Sequence, residues 1–430
     1  MDLIYQRGYC NLAATSAVAR SEGLFYKRSS KQVYPHMVHF PEYGKSALVS
    51  EDSNSPFSNL DEEPLNARGW VCQERLLSTR NISFSKQLVY YECAEELSCE
   101  ILDSTNATEL KLPGGFRFNP IRGDSPLPMS LKYMTSQNAL EFWHCMICSY
   151  SKAEITEPSD KLVAISGIAK FCQPTFKAEY LAGLWKSNLT QNLCWGPASS
   201  QSAKHVPNYR APSWSWASMD GGVWFWPFSI YKELIDYVET YTALINRANP
   251  YGAVRDSWIR LIGWVFPVYH TGCDSCEPQQ ARRPGRNENS SFHREFQSSI
   301  SHALGGVSTT LQIDDHRLDA STPTNPGYLE PKECFFLPIA CGKSAKDHAT
   351  SAIYCLVLVA MTPSRGVYQR IGLLKLNFGK AEFGVLPKGY KASPEELMEC
   401  VLPYMKRKFQ RCKVPSYDSH TLEKHQITLI

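Results

Sequence analysis

These 430 residues contain no long run of one charge, no apolar stretch of membrane length and no recognisable catalytic loop. Lys and Arg number 45 against 42 Asp and Glu, a net charge of +3. Such a balance supplies no electrostatic footprint for nucleic acid or an acidic membrane surface, so no nucleic-acid partner is expected. The densest basic stretch, Lys406, Arg407, Lys408, Arg411 and Lys413, reads as the solvated last turns of a helix. The most apolar segment, Ile353 to Met361, is far shorter than the roughly 20 residues a membrane helix needs, and reads as a buried strand. Met1 to Arg7 lack the basic and apolar regions of a secretory signal, so a cytoplasmic protein with no membrane span is expected. A Gly-rich phosphate loop, a nucleophile elbow and a metalloprotease helix are all missing. Local chemistry therefore declares no reaction.

Cysteine is plentiful, but the 15 present would suggest a disulfide scaffold only in a short secreted chain. Free thiols fit a reducing compartment better. Two pairs have CxxC spacing, Cys145 with Cys148 and Cys273 with Cys276. A zinc site would need all four as thiolates. The first pair lies in an apolar helical pattern beside Trp143 and Met146, and no third pair or HxxxH supports it. Neither pair follows a strand and opens a helix, as a redox CxxC requires. These residues read as core or loop thiols, and no metal or cofactor is expected. His144, His205 and the Asp314-Asp315-His316 run lack partners at diagnostic spacing.

With 43% hydrophobic residues the chain is long enough to fold as two or three globular domains. Tyr5 to Ala19 is rich in small residues and weakly helical, and a polar loop follows from Glu51 to Glu63. Pro64 stands where a helix could begin, behind Asp61, Glu62 and Glu63. Ile82 and Phe84, then Leu88 to Tyr91, flank the polar Ser85-Lys86-Gln87, which predicts a hairpin. Residues 104–130 read as a loop. Phe142, Met146 and Tyr150 recur at helical spacing, and Ser159 is placed to cap a helix burying Leu162, Ile165 and Ala169. Leu181, Trp185, Leu189 and Leu193 recur every four residues before Gly196-Pro197, the clearest helical pattern in the chain. From Pro212 the pattern becomes strand-like. Trp214 and Trp216 alternate with serines, Asp220-Gly221-Gly222 makes a turn, and Val223 to Trp226 returns. The four tryptophans could stack sugars or bases, but more simply build one core-facing sheet surface. Further strands are predicted within 231–246 and near 257–269, 333–340, 352–361 and 366–378. Residues 274–305 are expected to form a mobile loop, and Ser393 to Glu396 a capping box.

The most informative stretch runs from Arg68 to Arg80. In a helix, Trp70, Glu74 and Leu77 share one face, with Gln73 beside them. A carboxylate and an amide then interrupt an apolar seam and need partners such as Arg75, Arg80 or a backbone group. Two readings follow: a polar site at a domain or ligand interface, or a hydrogen-bonded clasp holding helix to sheet. Residue chemistry favours the clasp.

The segments together resemble the heterokaryon-incompatibility (HET) domain family. Its block of Arg, Trp, Gln-Glu-Arg, Leu-Ser and Arg is matched by Arg68, Trp70, Gln73, Glu74, Arg75, Leu77, Ser78 and Arg80, followed by Glu92-Cys93. Upstream, Met1, Ile4-Tyr5, Leu12-Ala13-Ala14 and Gly23-Leu24-Phe25 are similar to the family. Downstream, so are Ser149 to Ser151, Pro158 to Ala169, Tyr180 to Trp185, Pro212 to Ser218 and Asn249 to Gly252, with a weaker echo at 355–375. The family's first two blocks have no counterpart, so the chain is expected to be truncated within the HET domain, leaving exposed strand edges. The resemblance implies a mixed α+β chain. Residues 1–103 would be the C-terminal part of an α/β domain similar to Toll/interleukin-receptor domains, 104–211 a mainly helical segment, and 212–430 a β-rich region. It implies a role in fungal non-self recognition and programmed cell death, through protein partners or self-association. Interaction and signalling without catalysis is the leading expectation. A nucleotide-cleaving effector using NAD, with Glu74 near its site, and an inactive remnant are the alternatives.

Overall fold

A computed structural model describes residues 2–19, 21–28, 36–49, 60, 62–93, 97–100, 136–198, 204–206, 208–226, 228–267, 308–313, 334–344, 351–362, 366–378 and 424–430. The loops expected at 104–130 and 274–305, the capping box at Ser393, the basic stretch at Lys406, the second CxxC pair and the Asp314 run lie outside these residues. The fold is mixed α+β, and its contacts gather into two units. One comprises Met1–Tyr180 and Asn246–Ala253, the other Leu181–Ile245 and Val254–Ile430.

The first unit opens with α1 (Asp2–Arg7), whose last turn closes when Gly8 N–H donates to the Ile4 carbonyl at 2.9 Å. The weakly helical character expected over Tyr5–Ala19 is corrected: helix α1 ends at Arg7, and Asn11–Ala14 extends as β1. A hairpin of β2 (His36–Phe40) and β3 (Lys45–Val49) follows. A 3-10 turn at Pro64–Ala67 then leads into α2 (Gly69–Leu77). The hairpin read from the sequence is present as β4 (Arg80–Phe84) and β5 (Val89–Cys93). Its turn is held by Ser85 Oγ, which accepts from Gln87 N–H and Leu88 N–H, both at 3.1 Å. With β6 (Leu97–Cys99) these form a sheet in the order β1-β4-β5-β6. The β1–β4 pair is parallel, and α2 lies in the crossover that joins them. Helix α3 (Ser136–Tyr150) buries Phe142, Met146 and Tyr150 as their spacing predicts. Helix α4 (Ser166–Phe176) completes the unit. Ser159 caps no α-helix: Pro158–Asp160 is a 3-10 turn and α4 starts seven residues after Ser159, although Leu162, Ile165 and Ala169 are all buried.

The second unit corrects the helix expected over 181–193. Two short strands, β7 (Tyr180–Leu181) and β8 (Leu184–Trp185), meet at a turn in which Ala182 and Gly183 both have positive φ, 44° and 103°. Only Leu189–Asn192 is helical, forming α5. Leu181, Trp185, Leu189 and Leu193 are all buried, but so are Leu184, Trp195 and Cys194. Where a segment is buried on every side, a spacing of four does not report a helix face. Gly183 fits because a Cβ would lie 2.7 Å from Trp216 Nε1, which donates to the Gly183 carbonyl at 3.0 Å. Trp214 and Trp216 are fully buried, as a core requires, yet they occupy turns and a 3-10 segment (Trp216–Ser218) instead of a strand. Ser215 Oγ fixes that bend by accepting from Ala217 N–H and donating to the Ala182 carbonyl.

The strands expected after Val223 are present. Short β9 (Trp195–Pro197) pairs with β12 (Val223–Phe225), and β10 (Lys204–His205) with β11 (Met219–Asp220). The large sheet uses β13 (Phe228–Glu233), β14 (Asp236–Leu244), β15 (Val254–Gly263), β16 (Phe266–Pro267), β17 (Ser308–Ile313), β18 (Cys334–Ser344), β19 (Ser351–Thr362), β20 (Val367–Phe378) and β21 (His425–Leu429). Its order is β13-β18-β19-β20-β21-β15-β14, with β16 on β18 and β17 on β20. β19 is the predicted apolar strand, and Ala352 to Val359 are buried without a break. Buried Arg370 on β20 places its guanidinium 3.7 Å from the Trp195 ring centre, where the π face and the Trp195 carbonyl receive the charge. No helix among the described residues is long and apolar enough to cross a membrane.

Gly183 gives the first test. Gly183→Ala should lower stability by about 1–3 kcal/mol, since it adds backbone strain at a positive φ and pushes on Trp216. The denaturant midpoint measures it; an unchanged midpoint would contradict the turn described.

Candidate functional site

Helix α2 carries most of the Arg68–Arg80 block, and its placement starts at Gly69. Gly69 N–H donates to the Glu154 carbonyl at 2.8 Å, and Glu154 N–H returns to the Ala67 carbonyl at 2.7 Å. A Cβ on Gly69 would meet Ile155 Cδ1 at 2.1 Å, so the absent side chain is what lets this segment approach. Gln73, buried in the middle of the helix, accepts from Gly167 N–H at the start of α4 through Oε1 at 2.8 Å. At the other end Ser78 Oγ donates to the Glu74 carbonyl at 2.7 Å, and Leu77 is buried.

The helix-to-sheet clasp is built from Arg75. Its Nε donates to Glu92 Oε2 at 2.7 Å and its Nη2 to Glu92 Oε1 at 3.2 Å, a two-point ion pair with both side chains buried. Asn81 Nδ2 donates to the Arg75 carbonyl at 2.9 Å, and Asn11 Nδ2 donates to Asn81 Oδ1 at 3.0 Å, tying in β1. The face of the sheet toward α2 is therefore polar, with Asn11, Asn81, Ser83 and Glu92 in register beside Tyr90. The opposite face is apolar and only partly covered: Ile82, Phe84, Val89 and Tyr91 are half-buried, and Leu12 is 57% exposed. Phe25, 82% exposed, packs edge-on to Phe84 with ring centres 5.5 Å apart. This is the reverse of the usual arrangement of an antiparallel sheet on a core.

Glu74 takes no part in the Arg75–Glu92 ion pair. It lines a cleft of about 300 Å³ with Arg68, Arg75, Asn11, Asn81 and a wall of small side chains including Ala13 and Ala17. Burial raises its pKa, while the Tyr5 hydroxyl donating to it and the charge of Arg68 pull the other way. Burial and the facing Glu74 charge push Tyr5 up to about 12, so the phenol stays a donor. Arg68 is exposed, Trp70 half-buried, and Arg80 lies outside the cleft with its guanidinium 4.9 Å from the Tyr9 ring centre. Of the block, the structure thus brings Arg68, Glu74 and Arg75 to one cleft and sends Gln73, Ser78 and Arg80 to separate contacts. Tyr5, Asn11, Asn81 and Glu92 belong to the same arrangement; in the sequence only Tyr5 and Glu92 are marked, and by the family resemblance alone. Cys145 and Cys148 lie half-buried on α3, and no cluster suited to a metal occurs among the described residues.

These features define a helix-on-sheet polar cleft in a mixed α+β protein. Residues 1–74 match the model of the family described as Heterokaryon incompatibility protein (HET), so this stretch is HET-family sequence. The match runs from α1 through β1 to Glu74. Comparisons with curated proteins and with solved structures gave no match.

Two expectations follow. Arg75→Met should cost about 3–5 kcal/mol by stranding a buried carboxylate, and Arg75→Met with Glu92→Leu should recover much of it. A double-mutant cycle in urea measures the coupling, and additive losses would refute the clasp. For Glu74, a raised folded-state pKa means the folded chain holds the proton to higher pH than the unfolded chain does. The contribution of Glu74 to stability is then fully present below the ordinary carboxylate value of 4.5 and is lost as pH rises through the raised value. Glu74→Gln should flatten that fall in urea midpoints taken at stepped pH; an identical slope would mean that the carboxyl is not desolvated.

Proposed function

We propose that this chain is an interaction and signalling protein of heterokaryon incompatibility, the fungal non-self recognition that ends in death of the fused cell. The observation that carries the reading is the inverted sheet within and beside the HET-matched segment. Its polar side is consumed by the clasp to α2, which leaves Leu12, Ile82, Phe84 and Phe25 as a surface for another protein. In this reading Gln73, Arg75 and Glu92 hold the surface in shape, and Glu74 with Arg68 forms its polar margin. The parallel β1–β4 pair with α2 in its crossover supports placing this unit with α/β domains of the Toll/interleukin-receptor kind.

A second reading rests on Glu74 itself. A carboxyl with a raised pKa, in a cleft beside an arginine, suits a nucleotide-cleaving enzyme.

The two are separated by Leu12→Asp and Glu74→Gln expressed in a fungal host with an incompatibility response. The interaction reading expects Leu12→Asp to abolish the response with stability changed by no more than about 0.5 kcal/mol, as for other exposed sites. It also expects no NAD turnover by the purified chain. Turnover that disappears in Glu74→Gln would establish the enzyme instead, and a full response from Leu12→Asp would reject the apolar face.

A further inference from the structure

The two ends of the main strand order of the large sheet in the second unit are unlike. β13 is six residues long, bulges between Ile230 and Lys232, and exposes Lys232 and Glu233. Short length, a bulge and an edge lysine are the usual devices that stop a sheet from adding a further strand. β14 is nine residues long, DYVETYTAL, with no Lys, Arg, Pro or Gly, and no strand pairs its outer side among the described residues. A bulge at Val238 on β14 and a register shift beyond Ala243, where β15 carries the extra residue Arg255, bracket a regular run from Glu239 to Ala243.

That run has a sequence property suited to one partner. Thr240-Tyr241-Thr242 reads the same in both directions, and a two-fold interface must be complementary to itself. We propose that two copies of this chain associate by antiparallel pairing of their β14 edges about a two-fold axis at Tyr241. Thr240 then faces Thr242 of the partner subunit, and Tyr241 faces the partner's Tyr241, both favourable cross-strand pairs. Charge permits this register. Glu239 faces the partner's Ala243 and is already paired with Arg260 in its own chain, and Asp236, paired with Lys424, lies outside the run. The aromatic packing also continues across the axis. Tyr241 is 48% exposed and stacks on Trp258 with ring centres 5.8 Å apart, and the Arg260 guanidinium lies 4.9 Å from the centre of the Trp258 ring. Pairing would place the two Tyr241 rings between the two Trp258 rings, in one row over the joined sheet.

Sedimentation of the full chain over a wide concentration range tests this, together with hydrogen exchange at low and high concentration. The expected result is a monomer–dimer equilibrium in which the Glu239–Ala243 amides gain protection as concentration rises. Tyr241→Lys places like charges at the axis and should weaken association by roughly tenfold or more. A monomer at every concentration would overturn the proposal, as would a dimer that Tyr241→Lys leaves equally tight. If the variant misfolds, hydrogen exchange of the wild type decides alone: β14 amides indifferent to concentration would overturn it as well.

Discussion

The ion pair between Arg75 and Glu92 is the constraint from which the rest of the first unit follows. Two opposite charges removed from water are tolerated only when their geometry is good and their remaining hydrogen-bonding groups are satisfied. Here the contact is two-pointed, and Asn81 occupies the Arg75 carbonyl while Asn11 occupies Asn81. Each requirement recruits a polar residue from the same side of β1, β4 and β5. Because side chains alternate along a strand, committing Asn81, Ser83 and Glu92 to the helix side commits Ile82, Phe84 and Tyr91 to the other. The exposed apolar surface is thus a consequence of the buried charge.

The same geometry explains why Glu74 and Gln73, adjacent in sequence, have different fates. Successive helical residues lie about 100° apart. Gln73 and Arg75 are both buried, one against α4 and the other over the sheet, while Glu74 between them is only half-buried and looks into the cleft. Its carboxylate meets a donor in Tyr5 and a nearby charge in Arg68, yet burial still dominates and raises its pKa. A carboxyl kept partly desolvated beside an arginine can act as a polar contact at an interface or as an acid in a reaction, and geometry permits both.

Much of this was legible in the sequence, and the exceptions share a cause. The β4–β5 hairpin, α3 and the long strands after Val254 each show one wet side and one dry side, or a plain apolar run, and were read correctly. The segment 181–193 fails because nearly every residue in it is inside. Its apolar spacing of four is set by where turns fit around Trp185 and Trp216, with Gly183 as the local clue to a turn. Trp214 and Trp216 alternate with serines as on a strand, but Ser215 is itself fully buried and spends its hydroxyl on a bend. At the site, the Arg68–Arg80 helix and the need for polar partners were visible. The partners were not. Arg75 meets Glu92 across 17 residues, and Gln73 meets Gly167 across 94. Both pairings depend on tertiary placement that no local pattern encodes.

The two units solve opposite problems of sheet design. In the first, a face is left apolar because its reverse has been made polar, so any contact there is side chain against side chain and tolerates some variation in register. In the second, Leu337, Leu356 and Leu373 bury the centre of the large sheet completely, and what stays open is an edge. Contact at an edge is made by backbone groups at fixed intervals, so register matters, and a slip of one residue inverts every side chain. A short run that is its own reverse, bounded by register shifts, favours the alignment that puts its centre on a two-fold axis. A chain with both kinds of surface can make a register-fixed contact through one unit while the other offers a more permissive face. Specificity and adaptability of contact are then set by separate parts of the molecule.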